Sequence, residues 1–217
     1  MIKKEKLVKS KQRTIDFGEV NTGKKIVEKM LDLVKPELER IDSRFLEPAC
    51  GDGNFLCEIL TKKLNVVQRL HGKQQLDYEK FSILACSSIY GIELLSDNVQ
   101  LARKKLLNIF TAGYTILYPN IKKEIVESFK FILSKNIVQG DALSFLCGKN
   151  LDKVLTLSEW SLVENSFKRR EFAYKDFISY SPIDGPNLFS DLGEEAFLPE
   201  PVKDYPLVKY FEIYEQR

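Results

Sequence analysis

The stretch FLEPACGDGNFL, residues 45–56, decides the fold. The apolar run from Arg44 to Ala49 predicts a buried strand, and Gly51 and Gly53 predict a sharp turn directly after it. Apolar residues then recur at helical spacing, which predicts a helix that leaves the turn. A parallel strand followed by such a turn delivers the chain to the carboxyl edge of the sheet, where the ligands of parallel sheets bind.

Three further short runs have the character of strands, and amphipathic stretches lie between them. Ile89–Glu93 ends in an acid, Asn136–Gln139 leads into Gly140 and Asp141, and Lys153–Leu157 forms a fourth run. Strands that alternate with helices predict an α/β fold, with a parallel sheet and helices on its faces.

Composition and charge narrow the class of protein. The chain has 217 residues, of which 44% are hydrophobic, so it is long enough for one domain with a sizeable core. Its net charge of +2 excludes a globally basic coat for nucleic acid. No apolar run approaches the ~18–20 residues of a membrane helix, and the N-terminus lacks the apolar stretch of a secretory signal. We therefore predict a cytoplasmic protein with no membrane partner.

Three regions differ in composition. Residues 1–13 carry six basic side chains and one acidic one, and they predict a flexible arm that is either solvated or in contact with phosphate. Residues 14–180 contain the alternating strands and helices and are predicted to form the main domain. Residues 181–217 are acidic and rich in proline, and they predict a tail that wraps this domain rather than extending its sheet.

The histidine and cysteine content disfavours metal and triad chemistry. His71 is the single histidine and lies in a polar stretch, so we predict a surface loop residue and no metal site. The four cysteines form no CxxC pair, which favours reduced, buried thiols over zinc ligands or disulfides. Cys50, beside the glycine turn, is read as a packing residue rather than a nucleophile.

The acids at the ends of the first three predicted strands indicate a ligand. Glu47 can bind a cationic amine, while the N–H groups of the following helix suit a carboxylate. Glu93 can accept the hydroxyls of a ribose, and Asp141 can accept a hydrogen of an adenine amino group. Together they predict a pocket for S-adenosylmethionine. Two simpler readings stay open: Glu93 caps the next helix, or Asp141 is only a turn residue.

The motifs themselves resemble those of a known family. The segment EPACGDGNF, residues 47–55, resembles the (D/E)PACGxGxF motif of class I methyltransferases, and more narrowly of the amino-methylating DNA methyltransferases of restriction–modification systems. YGIEL at 90–94 and GDAL at 140–143 are similar to the family's second and third motifs. FGEVNT at 17–22 is similar to its FGE(V)FTP segment, with Asn21 where the family has phenylalanine.

The resemblance covers roughly residues 14–160. It implies a Rossmann-like three-layer sandwich, S-adenosyl-L-methionine as cofactor, and DNA as substrate, methylated at adenine N6 in a restriction–modification or phage-defence system. The cofactor-binding residues that it implies are Thr22, Glu47, Ala49, Cys50, Gly51, Gly53, Asn54, Phe55, Glu93, Leu94, Asp141 and Ala142.

The family's (D/N/S)PP(Y/F) motif is missing from this sequence. Its predicted place, the end of the fourth strand, holds Ser158, Glu159 and Trp160. In one reading these are the catalytic residues: Ser158 and Glu159 accept hydrogen bonds from a substrate amine or hydroxyl, and Trp160 stacks on a base. In the other, Trp160 caps the core and Glu159 faces solvent. The segment FKRREF at 167–172 suits nucleic acid, or is a solvated basic turn.

Only 57 residues follow Trp160, whereas the seven-stranded sheet of the family needs three more strands. The sheet is therefore shortened, completed irregularly, or completed by a specificity or catalytic partner subunit. Two further functions remain open beside DNA methylation. One is a non-catalytic, cofactor-binding subunit of such an assembly; the other is a methyltransferase that acts on RNA or protein.

Overall fold

The computed structural model describes residues 10–17, 22–148, 150–179 and 200–216. In chain order the helices are α1 (Lys11–Phe17), α2 (Lys24–Asp32), α3 (Lys35–Leu38), α4 (Asn54–His71), α5 (Gln75–Ser87), α6 (Ser96–Leu117), α7 (Lys123–Asn136) and α8 (Tyr174–Ser179), with a 3-10 helix at Ile213–Glu215. The strands are β1 (Phe45–Glu47), β2 (Ile89–Glu93), β3 (Ile137–Asp141), β4 (Leu146–Cys147), β5 (Lys153–Val154), β6 (Thr156–Val163), β7 (Ser166–Ala173), β8 (Lys203–Asp204) and β9 (Val208–Lys209).

The first sheet combines parallel and antiparallel pairs in the order β1-β2-β3-β4-β5. β1, β2 and β3 run parallel, with Glu47 opposite Gly91 and Glu93 opposite Gln139. β4 and β5 then pair antiparallel at the outer side of β3. The chain is thus an α/β protein, as the sequence predicts, but its sheet is mixed rather than wholly parallel.

Two helices fill each crossover between the parallel strands. α4 and α5 connect β1 to β2, α6 and α7 connect β2 to β3, and all four helices contact β2. This central strand is buried, and Ile89 and Ile92 have no exposed surface. His71, predicted in a loop, is instead the last residue of α4 and stacks on Phe81 with ring centroids 3.6 Å apart.

A buried lysine fixes the entry to β1. Lys63 of α4 is completely buried, and its Nζ donates to the carbonyls of Arg40, Ile41 and Ser43 at 3.1, 2.9 and 2.6 Å. These three acceptors compensate the ammonium group for its lost hydration. Burial nevertheless lowers the pKa of Lys63 to about 8. The contact ties the helix after the glycine turn to the segment that precedes the first strand.

The predicted fourth parallel strand over 153–157 is wrong. β5 covers only Lys153–Val154, and β6 begins at Thr156 and pairs antiparallel with β7 along its whole length. The two strands join through a turn at Glu164 and Asn165, where Glu164 has a φ of 55°. Because the return strand follows so closely, residues 156–173 form a hairpin and not a β-α-β crossover.

The described part of the C-terminal region extends a second sheet. β8 and β9 both pair antiparallel with β7, so residues 200–216 add strands to the hairpin, whereas the sheet of β1 to β5 includes neither of them. Residues 180–199, which carry much of the predicted acidic tail, lie outside the described residues. Among the residues that are described, no helix has the length and apolar character needed to cross a bilayer.

Candidate functional site

Three acids meet at one edge of the sheet. Glu47, Glu93 and Asp141 are the last residues of β1, β2 and β3, which are neighbours in the sheet and run in the same direction. Parallel strands bring their carboxyl ends to a common edge, and the register staggers the acids by two residues from one strand to the next, with Glu47 opposite Gly91 and Glu93 opposite Gln139. The structure confirms this part of the sequence prediction.

The turn after β1 requires both of its glycines. Gly51 and Gly53 have φ values of 54° and 86°, in the left-handed region that favours glycine, and the Gly53 N–H donates to the Cys50 carbonyl at 2.9 Å. A Cβ on Gly53 would lie 2.8 Å from the Cβ of Ala102 in α6. The turn is therefore held tightly between β1 and α6, and α4 begins directly after it.

The carboxylate of Glu93 bridges two strands. Its Oε2 accepts the Gly51 N–H at 2.9 Å, and its Oε1 accepts the Leu95 N–H at 2.9 Å and the Asn98 amide at 3.4 Å. The bond to Leu95 fits the reading of Glu93 as a residue at the entry of α6. The bond to Gly51 goes further, since it fixes the glycine turn of β1 to the end of β2.

Glu47 and Asp141 make local hydrogen bonds within the described part of the chain. Glu47 Oε1 accepts the Ala49 N–H at 3.2 Å, and Asp141 Oδ1 accepts the Leu143 N–H at 2.9 Å. The Leu143 N–H holds the pKa of the Asp141 carboxyl below its usual value, so this acid is ionised at neutral pH. Each carboxylate retains lone pairs for a ligand donor, and the turn reading of Asp141 is also realised.

The Asp52 carboxylate, inside the turn, has one oxygen without a hydrogen-bond partner among the described residues. Asp52 is 8% exposed; its Oδ2 pairs with Lys105 Nζ at 2.8 Å, while its Oδ1 is buried with no hydrogen-bond partner among the described residues. Lys105 also donates to Asn54 Oδ1 at 2.9 Å. A buried carboxylate oxygen without a donor is costly, and a cationic group bound at the turn would relieve that cost. The sequence prediction missed Asp52 and Lys105, because only the tertiary structure brings α6 to the turn.

Cys50 is a packing residue, as the simpler reading holds. Its backbone N–H donates to the Ile92 carbonyl at 3.0 Å, and its side chain is buried against β2. A Cβ on Gly91 would lie 2.8 Å from the Cys50 sulfur, which explains the glycine in the second strand. Burial raises the pKa of the Cys50 thiol to about 12, so the sulfur stays protonated and is no nucleophile.

The other predicted cofactor residues differ in their surroundings. Thr22 lies with Asn54 and Glu58 on a small cavity of about 130 Å³ at the start of α4. Phe55 and Ala142 pack partly buried against the core, whereas Leu94 is 40% exposed. The remaining member of the set, Ala49, is exposed directly before the turn. Residues 18–21 of the predicted FGEVNT segment lie outside the described residues.

The three predicted catalytic residues do not lie at the end of a parallel strand. Ser158, Glu159 and Trp160 occupy the middle of β6, opposite β7. Ser158 Oγ accepts from Arg169 Nε at 3.0 Å, and Trp160 Nε1 donates to Asn136 Oδ1 at 2.8 Å. Trp160 is 4% exposed and belongs to the core, which matches the reading that it caps the core.

Glu159 does not face solvent either. It is 8% exposed, and its carboxylate pairs with Arg44 at 2.5 Å and with Arg170 at 3.0 Å. Each of the three side chains is thus engaged by another group of the protein. The placement inferred from the sequence is wrong because the chain forms a hairpin at this point.

The basic segment at 167–172 is a strand and not a solvated turn. It lies within β7, where Phe167 and Arg169 are buried. Lys168 pairs with Asp204, and Arg170 pairs with Glu159. Its charges are therefore matched by acids of the same protein, and contact with nucleic acid stays a prediction.

No family model, curated protein or solved structure matches the chain. A functional assignment accordingly rests on the geometry of this edge and on the motifs of the sequence.

Proposed function

We propose that the chain binds S-adenosylmethionine at the carboxyl edge of β1, β2 and β3 and serves methyl transfer to DNA, at adenine N6. One observation carries the cofactor part of the proposal: Glu47, Glu93 and Asp141 end three adjacent parallel strands, and a left-handed glycine turn follows the first of these strands. The class of substrate comes from the resemblance of the motifs. The Rossmann-like methyltransferase fold is part of the same proposal.

The residues at this edge fit the groups of that cofactor. Glu47 suits the amine of its methionine part, and the first N–H groups of α4 suit the carboxylate. Glu93 suits the ribose hydroxyls, and ionised Asp141 suits the adenine amino group. The unmatched Oδ1 of Asp52 supports a cationic ligand near the turn.

When bound, the cofactor supplies an electrophilic methyl group on its sulfonium sulfur. The chain's own residues then hold the cofactor and orient it. Glu93 holds the glycine turn through the Gly51 N–H, so the backbone is set before a ligand arrives. Such preorganisation lowers the cost of binding, because fewer groups lose freedom in the complex.

The cofactor assignment is tested by titration calorimetry with S-adenosylmethionine. We expect Glu93→Gln to weaken binding by about 1–3 kcal/mol, since the amide loses the negative charge and one acceptor oxygen. Glu124→Gln, an exposed residue of α7, is the matched control and should leave the affinity unchanged. Equal affinity of the Glu93→Gln variant and the wild type, with both folded, would remove the assignment of Glu93.

A second function is a non-catalytic, cofactor-binding subunit. The observation that favours it is that the three predicted catalytic side chains lie within a hairpin and already have partners in the protein. Ser158 bonds to Arg169, Glu159 pairs with two arginines, and Trp160 bonds to Asn136. Transfer of a tritiated methyl group to DNA, RNA and cell lysate separates the alternatives. Transfer to DNA supports the proposed enzyme, whereas tight cofactor binding without transfer to any acceptor supports the subunit.

A further inference from the structure

Asp52 is a carboxylate of the candidate site to which the proposed function assigns no group of the cofactor. It lies inside the glycine turn, and 8% of its surface is exposed. Its Oδ2 pairs with Lys105 Nζ at 2.8 Å, and its Oδ1 is buried without a hydrogen-bond partner among the described residues. Such an oxygen costs stability, so its charge calls for an explanation.

The negative charge of Asp52 reaches both the strand ends and the start of α4. Burial raises the pKa of the Cys50 thiol to about 12, and the charges of three carboxylates add to this effect, namely Glu93, Glu47 and Asp52. Burial, and to a smaller extent Asp52, also raise the pKa of Cys57, which lines the small cavity at the start of α4. Asp52 is therefore close enough to act on a ligand bound between these two places.

The described part of this edge carries more negative than positive charge. Four carboxylates belong to it, namely Glu47, Asp52, Glu93 and Asp141. Of these, only Asp52 has an ion-pair partner among the described residues, and that partner is Lys105. Charges in a poorly hydrated site interact more strongly than in water, so the edge favours a ligand with positive charge near the turn.

Two further cations beside this edge are paired with acids outside the set of four. Lys24, on the small cavity, pairs with Glu58 at 3.3 Å. Arg13 of α1 pairs with Asp97, in the first turn of α6, at 2.7 Å. Each of these cations therefore has an acid of its own, and the excess of negative charge around the turn persists.

The proposed cofactor and its product differ in charge at one atom. Methyl transfer breaks the bond from the methyl carbon to sulfur, and that carbon bonds to the acceptor nitrogen, which releases a proton to solvent. The electron pair of the broken bond stays on sulfur, so the sulfonium becomes a neutral thioether. The amine, the ribose and the adenine are the same in S-adenosylmethionine and S-adenosylhomocysteine. The acids assigned to these groups, Glu47, Glu93 and Asp141, therefore face the same groups in both compounds.

We propose that Asp52 makes the site selective for the cofactor over its product, because its carboxylate attracts the sulfonium charge that only the cofactor carries. The inference rests on the proposed function and adds how the site is cleared after transfer. The attraction acts through the electric field and needs no direct contact with the buried Oδ1. Lys105 has the opposite effect, since its ammonium group offsets part of the Asp52 charge.

Titration calorimetry of the full chain with S-adenosylmethionine and S-adenosylhomocysteine tests the proposal. The quantity compared is the Kd of the product divided by the Kd of the cofactor. We expect Asp52→Asn to lower this ratio about five- to tenfold, since asparagine keeps the shape and loses the charge. Lys105→Gln should raise the ratio about two- to fivefold, because it removes the offsetting charge. A merely structural role would weaken both compounds alike and leave the ratio unchanged.

Asp141→Asn is the matched control, because the same change at the acid assigned to adenine should leave the ratio within about twofold of the wild type. A melting curve of each variant checks its fold, and Lys105→Gln carries the test if Asp52→Asn does not fold. An unchanged ratio in folded Asp52→Asn, or a ratio that does not rise in Lys105→Gln, overturns the proposal. If the wild type binds neither compound, the proposed function fails as well, so the two failures can be told apart.

Discussion

Glu93 illustrates how one side chain serves two neighbouring strands. Its carboxylate accepts the Gly51 N–H from the turn of β1 and the Leu95 N–H at the start of α6. The sequence places the acid at the end of its strand, because the apolar run Ile89–Ile92 stops there. The bond to Gly51 follows only from the pairing of β1 with β2, in which Glu47 lies opposite Gly91.

At the same scale, Gly53→Ala should destabilise the fold by about 1–3 kcal/mol, because the residue has a φ of 86° and its Cβ would press on Ala102. Chemical denaturation measures the change. Gly113→Ala is the matched control, since that Cβ would meet only the Tyr78 hydroxyl at an ordinary 3.6 Å in a helix. If both substitutions have the same effect, the turn tolerates a side chain and its tight geometry is refuted.

The hairpin of β6 and β7 is the element that the sequence prediction misplaced. Buried and partly buried residues alternate over the first half of β7, whereas four consecutive residues of β6 are buried, and Glu164 and Asn165 form the turn between the strands. Asparagine in a two-residue turn is a signal that could have revealed the hairpin. That signal is weaker than the regular alternation of strands and helices, which predicts the first three strands correctly.

Trp160 joins this hairpin to α7, the helix that precedes β3. Its indole N–H donates to Asn136 at the end of α7. Trp160→Phe should therefore cost about 1–3 kcal/mol of unfolding free energy, since a buried amide oxygen loses its donor. Cofactor affinity should stay unchanged in the same variant. Normal stability combined with a loss of methyl transfer would instead support the catalytic reading of this residue.

On the scale of the whole molecule, buried charges connect the separate units. Arg169 of β7 is 1% exposed, donates to the Gln216 carbonyl at 3.1 Å and lies over the Tyr205 ring, so it ties the C-terminal segment to the hairpin. Lys63 ties α4 to the segment before β1. Both contacts join residues far apart in the chain, and neither has a local signature in the sequence.

The stability of the whole fold should depend on pH through Lys63. Its pKa is about 8 in the folded chain and higher in the unfolded chain, so between these values the unfolded chain binds more protons and stability rises with pH. The difference in unfolding free energy between the wild type and Lys63→Met should grow by about 1–2 kcal/mol from pH 7.5 to 9.5. A difference that stays constant over this range would show that the lysine does not titrate there.

The sequence by itself determined the first three strands, the acids that end them and the glycine turn, because apolar periodicity and glycine conformation are local properties. Only the tertiary structure decided the rest: the bond from Gly51 to Glu93, the approach of Lys105 to Asp52, and the hairpin that removes Ser158, Glu159 and Trp160 from the predicted strand end. Each of these depends on which strand or helix becomes a neighbour. That choice is set by packing between distant residues and leaves little trace in any single stretch of the chain.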